Sequence, residues 1–450
     1  MKSFLYNAAK AIIAVLLLLP TTSIGQVEKI SYMRPSYFRA YDQTGINVFE
    51  TSKETDPVLF DGLRVRLGAG FTQQFQGLKH SSTALNDQAS NKLYPIKPGF
   101  MTAQANLNLD VQLADGIRLN LTSYLSARHH NETWVKGGYI QIDKLPFKGK
   151  IWKDLMEITT IKIGHMEINY GDAHFRRSDG GHTLYNPFME SYIMDAFATE
   201  IGGEVYLQKN GWFGMAGASN GMIKGHIDSV AKSEVDENAR RSPSLYGKVG
   251  FDRKLSEKIR VRISGSYYHN GSQAGSGLTL YSGDRTGSNY QNVMEVWKDK
   301  DGVVKASTAM YASGRFNPGF SKKIDAVMLN GFLKYAGFEL FGTYETAQGR
   351  SKTESNVRQA NQYAIDGLYR FGKTENVFLG VRYNSVNATL AGQTNDVTIN
   401  RFAVAGGWFI VKNLLLKAEY VDQRYKDFPN ADYRSGGKFN GYVIEAVVGF

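Results

Sequence analysis

Apolar and polar residues alternate along most of the chain, in segments of about ten residues each. In residues 117–122 (IRLNLT) the odd positions are aliphatic and the even positions polar, and residues 259–264 (IRVRIS) repeat the pattern. Residues 101–113 keep it for thirteen positions. A period of two matches a β-strand with one apolar and one polar face, so the pattern predicts half-buried strands.

The alternation predicts sixteen strands, with turn residues between most of them. They cover residues 63–77, 100–113, 117–128, 134–143, 158–166, 197–208, 211–220, 244–254, 259–269, 323–335, 337–347, 358–371, 376–387, 398–410, 413–425 and 439–450. Their connections alternate between short turns, such as Asp115-Gly116, and mostly longer loops, such as 167–196 and 270–322. Segment 144–157 is an exception, because it is a long connection at the end where the other connections are short. Residues 151–156 in it are expected to form a helical turn.

An even number of strands, with short turns at one end and long loops at the other, is typical of outer-membrane barrels. Aromatic residues near strand ends suit the girdles at the two membrane interfaces: Tyr335, Phe338, Tyr344, Tyr369, Phe371, Tyr383, Phe402, Trp408 and Tyr420. The alternative is a soluble β-sandwich, whose core would be the apolar face. We predict an all-β fold, a transmembrane antiparallel up-and-down β-barrel of about sixteen strands with short periplasmic turns and long extracellular loops.

The two ends of the chain favour an exported barrel. Lys2 and Lys10 form a basic N-terminal region. The apolar stretch that follows, residues 11–19, is too short to span a membrane, so residues 1–25 are interpreted as a signal peptide. At the other end Tyr442, Ile444, Ala446, Val448 and Phe450 alternate to a terminal Phe, which resembles the strand signal read by the barrel assembly machinery. The predicted organisation is a signal peptide at 1–25, a periplasmic-side N-terminal segment at 26–60 packed under or inside the barrel, and the barrel at 61–450.

The composition excludes several classes of chemistry. The chain has no Cys, which excludes disulfide scaffolds, thiolate metal sites and cysteine nucleophiles, and its eight His are scattered. Residues 217–221 match the pattern G-x-S-x-G, but that motif needs a strand-to-helix turn and here it ends a predicted strand. No catalytic site, metal or cofactor is expected, and no nucleic-acid partner. An outer-membrane enzyme is the less favoured alternative.

Sixteen strands enclose a lumen wide enough for an aqueous channel. The polar face of the predicted strands carries eleven basic and nine acidic residues, which indicates at most a mild preference for anions. The basic residues are Arg64, Arg66, Arg118, Arg128, Lys162, Lys248, Arg260, Arg262, Arg382, Arg401 and Lys417; the acidic ones are Asp110, Glu200, Glu204, Asp252, Glu339, Glu345, Asp366, Glu419 and Glu445.

Loop 167–196, the third long connection, is the candidate constriction. If it folds inward, Arg176 and Arg177 would contact anions and face Lys162, Lys248, Arg260 and Arg262 across the narrowed lumen. The loop nevertheless has more acids than arginines, so it is not expected to be a dedicated anion filter. The candidate pore-lining and constriction residues are Arg176, Arg177, Asp179, His182, Lys162, Lys248, Arg118, Arg260, Arg262, Arg382 and Arg401.

Residues 161–167 (IKIGHME) run into Tyr170-Gly171-Asp172 and then Asn186-Pro187-Phe188. Together with the signal peptide, sixteen strands and terminal Phe, these residues resemble the bacterial outer-membrane porin superfamily, nearest the phosphate-selective porin O and P type. The resemblance covers residues 61–450. It implies a third loop that constricts the pore, and a homotrimer. The ladder of basic lumen residues in anion-selective members is replaced here by mixed charge.

These observations predict a porin in the outer membrane of a Gram-negative bacterium, with a water-filled channel for passive diffusion of small hydrophilic solutes or ions. The expected partners are outer-membrane lipids, small hydrophilic solutes or anions, the barrel assembly machinery at the C-terminal strand, and two further copies of the chain. An adhesion or secretion-accessory role is the principal alternative.

Overall fold

The computed structural model describes residues 38–51, 53, 60–85, 91–126, 132–178, 182–220, 242–271, 280–284, 286–298, 301–304 and 312–450. Within these ranges nearly all of the regular secondary structure is β-strand. The described part of the chain contains no helix long and apolar enough to cross a membrane.

Sixteen antiparallel strands form one closed barrel, which confirms the predicted fold class. Each strand pairs with its neighbours in sequence, and β1 pairs with β16 to close the sheet. The strands are β1 Arg64–Ser81, β2 Gly99–Ala114, β3 Ile117–Leu125, β4 Trp134–Ile142, β5 Thr159–Glu167, β6 Thr199–Lys209, β7 Trp212–Ser219, β8 Ser244–Lys254, β9 Ile259–Asn270, β10 Lys323–Tyr335, β11 Phe338–Arg350, β12 Arg358–Phe371, β13 Val377–Thr389, β14 Asp396–Val411, β15 Leu414–Lys426 and β16 Lys438–Gly449.

The alternation of the sequence becomes the two faces of this barrel. Outward positions such as Leu121, Ile163 and Ile263 are exposed, whereas the intervening Arg118 and Arg262 are buried on the inner face. All nine aromatic residues predicted for the girdles are exposed on the outer surface. A closed barrel satisfies every strand's backbone hydrogen bonds internally, so this apolar outer face can lie in hydrocarbon, and the chain is an outer-membrane barrel.

The C-terminal strand closes the barrel as its alternation predicted. Tyr442, Ile444 and Phe450 are exposed on the outer face. Phe450 also extends the pairing beyond β16, since its backbone exchanges hydrogen bonds of 2.8 and 3.0 Å with Ala69 of β1.

The interior differs from the wide aqueous lumen that strand number alone predicts. Val386, Ile399, Val421 and Val443 point inward from β13–β16 and pack in one apolar cluster with Ile193 and other residues from the long connections. Apolar side chains on the inner face are stabilised when other apolar groups shield them from water, and the loops that fold inward supply those groups. Much of the barrel is therefore a packed core.

Two shorter segments lie beside the strands. The expected helical turn is a helix, α1 (Lys150–Met156), between β4 and β5. Residues 38–51 lie inside the barrel at the end with the short turns: the Gln43 amide donates to the Lys412 carbonyl in the β14–β15 turn at 2.8 Å. Further along, Phe49 packs on Phe332 of the wall and on Phe175.

Candidate functional site

The connection between β5 and β6, residues 168–198, turns into the barrel directly after β5. Gly171 makes this turn possible because its φ of +70° is left-handed and a side chain there would collide with the sulfur of Met328. The turn aims Asp172 at the inner wall, where its carboxylate accepts from Arg262 at 2.7 and 2.8 Å and from Ser264 at 2.8 Å. We call residues 168–178 and 182–198 the inner loop.

Side chains of the barrel wall accept hydrogen bonds from the backbone of the inner loop, as the backbone of a neighbouring strand would. The amides of Met189, Ile193 and Met194 donate to Glu419, Asn384 and Gln362, at 2.9, 2.7 and 2.8 Å. Buried backbone groups without a partner would be costly, so these polar wall positions allow an irregular loop to lie in the interior.

Three buried wall cations hold the carbonyls of the same loop. Lys417 donates to Thr183, Asn186 and Phe188 at 3.0 to 3.3 Å, and its ammonium lies 2.8 Å from Glu445. Arg382 donates to the Glu190 carbonyl at 2.7 Å, and Arg401 donates to the Ser191 carbonyl at 2.7 Å. Arg382 also forms a two-pronged pair with Asp366, at 2.7 and 2.8 Å. Arg382 and Arg401, both predicted pore residues, therefore anchor the loop.

The structure corrects the expected position of Arg176 and Arg177. Arg177 is buried, pairs with Asp195 of its own loop and stacks 4.1 Å from the Phe197 ring. Arg176 is also buried; its guanidinium lies 4.7 Å from the Phe341 ring and borders a cavity of about 20 Å³, room for one water molecule. Neither faces the lysines across an open lumen, because the loop packs against β11–β13. Asp179 lies outside the described residues.

Lys248, Arg260 and Arg262 support the inner loop and the N-terminal segment. Lys248 lies 2.6 Å from Asp172 and 2.9 Å from Glu50, and Arg262 bridges the same two carboxylates. Arg260 pairs with Asp252 at 2.7 Å and donates to the Asn47 carbonyl at 2.8 Å. Burial alone would raise the pKa of Glu50, but Lys248 and Arg262 outweigh burial and lower it to about 2.

A cavity remains on the opposite side of the inner loop, against β2–β6. It offers about 200 Å³ to the centres of water molecules, far more than the 10–15 Å³ or so that one water requires. Along β5 it extends from Thr160, the second residue of the strand, to Glu167, the last. Of the predicted pore residues, Arg118, Lys162 and His182 line it.

The charges around this cavity are mostly compensated. Arg118 pairs with Asp143, and Lys136 pairs with Asp284. Lys162 differs from both: its ammonium lies 4.9 Å from the Tyr139 ring and 5.4 Å from the Tyr206 ring, and no carboxylate of the described residues forms an ion pair with it. The cavity thus presents a cation flanked by two aromatic rings.

Two histidines of the inner loop, His174 and His182, line the cavity. His174 contacts Glu167 at 2.6 Å and Asn169 at 2.9 Å through its two ring nitrogens. His182 contacts the carbonyl of His174 at 3.2 Å. Burial lowers the pKa of His182 to about 3, and Arg39 adds to this shift, so the ring is neutral at pH 7. Burial also lowers the pKa of His174, although Glu167 opposes the shift.

Sequence reasoning missed the cavity residues of the N-terminal segment. Arg39 donates to the Phe175 carbonyl at 2.6 Å and stacks 4.7 Å from the Tyr185 ring, and Tyr41 donates to Asp110 at 2.9 Å. Residues 26–60 show no period that identifies an inward face. The only available signal was the concentration of aromatic and charged residues in positions 38–50.

Comparison with protein-family models and with curated proteins finds no match. Among solved structures, the chain is similar to the anion-selective porin from Comamonas acidovorans, with a TM-score of 0.52 and 9% identity over 86% of this chain and 100% of that chain. The outer-membrane channel DcaP of Acinetobacter baumannii gives a TM-score of 0.49 at 11% identity, covering 86% and 98%. OmpT of Vibrio cholerae gives 0.48 at 9%, covering 87% and 99%. The first of these likenesses shows a shared barrel fold.

Proposed function

We propose that the protein is a porin that carries small hydrophilic solutes passively through the cavity between the inner loop and β2–β6. The observation that carries this proposal is that the cavity follows β5 for almost its whole length. Its lining is polar and charged enough for water and dissolved solutes. The inner loop, anchored by Lys417, Arg382 and Arg401, sets the width of the path.

The same cavity favours a mild preference for anions. The carboxylates that line it are engaged: Glu50 with Lys248 and Arg262, Glu167 with His174, and Asp110 with Tyr41 and Asn120. Lys162 retains an ammonium available to a passing anion. Lys is a common phosphate-binding residue, so the sequence resemblance to the phosphate-selective porin O and P type extends the proposal to small oxyanions.

Two further parts of the proposal rest on the sequence. Residues 1–25 are removed on export, and the mature barrel assembles as a homotrimer, as the resemblance to porins implies. Chemical cross-linking of the folded protein in outer-membrane vesicles tests the second statement, since a trimer gives a species of three chains and a monomer gives none.

Single-channel recording in a planar bilayer with a salt gradient tests the function. We expect stable conductance steps without nucleotide or cofactor. We also expect a reversal potential that shows anions to be more permeant than cations. Lys162→Met should move that potential toward cations at low salt. The shift should shrink near 1 M salt, where screening acts over about 3 Å. Lys254→Met, a matched control at the exposed end of β8, should change nothing.

Other outcomes would point elsewhere. A folded barrel that never conducts but binds a protein partner would favour the adhesion or secretion-accessory role. A folded barrel that hydrolyses a lipid or peptide would favour an enzyme. For that alternative, Ser219 is the sequence candidate, but it lies within β7 and donates to Glu200 rather than standing at a strand-to-helix turn.

A further inference from the structure

Four cations lie close together on the outer surface of the barrel, at the end that carries the long loops. Lys79 is on β1, Arg424 and Lys426 are near the end of β15, and Lys438 begins β16. All four are exposed. We call them the basic cluster. It lies on the outer face of the barrel, none of its residues lines the cavity, and it plays no part in the proposed channel.

The strand register fixes the order of rows leading to this cluster. One row contains Gly77, Tyr442 and Tyr420; the next contains Lys79, Asn440 and Asp422; the following one contains Ser81, Lys438 and Arg424. Tyr442 and Tyr420 are exposed aromatic residues of the kind that mark the membrane interface. The basic cluster therefore begins one row beyond the interface, at the level of lipid headgroups.

The arrangement of charge within the cluster is unfavourable by itself. Arg424 and Lys438 are direct cross-strand partners, and like charges placed opposite each other destabilise a sheet. Neighbouring strands are about 4.8 Å apart and alternate residues about 6.8 Å apart, so the four cations share a small area. Asp422 is the acid within these rows, and it pairs with Arg424 at 2.9 Å. The net charge of these five residues is +3.

An anion bound across the cluster would remove this repulsion. Long loops face the outside of the cell, so the headgroups at this level belong to the outer leaflet. We infer that the basic cluster binds the phosphate groups of a phosphorylated glycolipid of the outer leaflet, with Arg424, Lys438 and Lys79 as its main contacts. Guanidinium and ammonium groups both suit phosphate oxygens. Near the long-loop ends of β7 and β8, by contrast, the outer face carries Ala218 and Leu245.

Binding of purified lipopolysaccharide to the detergent-solubilised full-length mature protein tests the inference. The variant K79Q/R424Q/K438Q removes three charges from the cluster. The control K209Q/K254Q/K258Q removes three exposed charges from the short-turn rim. We expect the cluster variant to bind at least about tenfold more weakly and the control to bind as the unsubstituted protein does. Dephosphorylated lipopolysaccharide should bind the unsubstituted protein as weakly as the cluster variant binds the phosphorylated form.

Three results would overturn the inference. The first is equal binding by the cluster variant and the control. The second is undiminished binding of dephosphorylated lipid. The third is equally tight binding of phosphatidylglycerol, which would make the attraction a general one for anionic lipid. If the triple variant does not fold, Lys438→Gln alone supplies the comparison, with Lys258→Gln as its control. Conductance should be the same in all variants, so this test is independent of the channel proposal.

Discussion

The two sides of the barrel interior use the same kinds of charged side chain in different ways. On β11–β16, the packed side, Arg382, Arg401 and Lys417 are buried and donate to carbonyls of the inner loop. On β2–β6, the cavity side, Lys162 lies beside open space and two aromatic rings. Both sets occupy inward positions of alternating strands. The difference teaches that a polar side chain that points into such a barrel is not necessarily in contact with water.

The origin of the difference is the path of the inner loop. Its backbone groups need buried partners, and Glu419, Asn384 and Gln362 on the packed side provide acceptors for them. A loop held so firmly to one side leaves space on the other. The packed side thus determines the shape of the cavity although none of its strands lines it.

The largest expected effect follows from breaking an anchor on the packed side. Arg382→Met leaves Asp366 buried without its cation, which should lower the free energy of unfolding by about 3–5 kcal/mol. It also removes the hydrogen bond from the wall to the Glu190 carbonyl, so the loop should move more and the conductance should rise. Denaturant unfolding in lipid vesicles and single-channel recording measure the two effects. Adding Asp366→Asn should restore part of the stability; a stable single variant with unaltered conductance would contradict the anchoring role.

A smaller effect is expected from adjacent residues on the cavity side. Ile163 faces lipid and is 55% exposed, whereas its neighbour Lys162 faces the cavity. Ile163→Arg should cost about 2–4 kcal/mol if the position is near mid-bilayer. Lys162→Gln should change the free energy of unfolding by no more than about 0.5 kcal/mol while altering ion selectivity. Equal losses of stability in the two variants would show that the faces are assigned incorrectly.

The smallest effect concerns pH. The pKa of His182 falls from an ordinary value near 6.5 to about 3, so below about pH 6.5 the unfolded chain binds a proton that the folded chain does not. Its contribution to stability is therefore full above pH 6.5 and is lost as the pH falls toward 3. Glu50, with its pKa lowered to about 2, adds a loss in the same direction below about pH 4.5. His182→Gln should flatten the stability profile between pH 6.5 and 4.5; an unchanged profile would assign the effect to other groups.

The sequence was sufficient to predict the wall of the barrel. Strands β8, β10 and β12 have the predicted bounds, because each strand alternates between one apolar and one polar face and ends at turn residues. The C-terminal alternation predicted the closing strand in the same way. This signal is local, so it survives without knowledge of the tertiary contacts.

Predicting the contacts inside the barrel requires knowing which residues distant in sequence come together. Val443 lies between the outward-facing Tyr442 and Ile444 and is apolar at an inward position where an aqueous lumen favours a polar side chain, which is the signal in the sequence for a packed core. The partners of Arg176 and Arg177 depend on how the loop crosses the lumen, which spacing along the chain does not determine. Glu50 likewise meets Lys248 only through the position of the N-terminal segment.

The central claim is that solutes pass along β2–β6 and not along the packed side. The absence of Cys allows a direct measurement, in which single cysteines are introduced and treated with a negatively charged thiol reagent during single-channel recording. Lys162→Cys places a thiol in the cavity, and Ser191→Cys places one in the buried part of the inner loop, where the Ser191 hydroxyl contacts Ser178. The account predicts rapid modification and a fall in current for Lys162→Cys, with no change for Ser191→Cys. Modification of Ser191→Cys with an unaffected Lys162→Cys would contradict it.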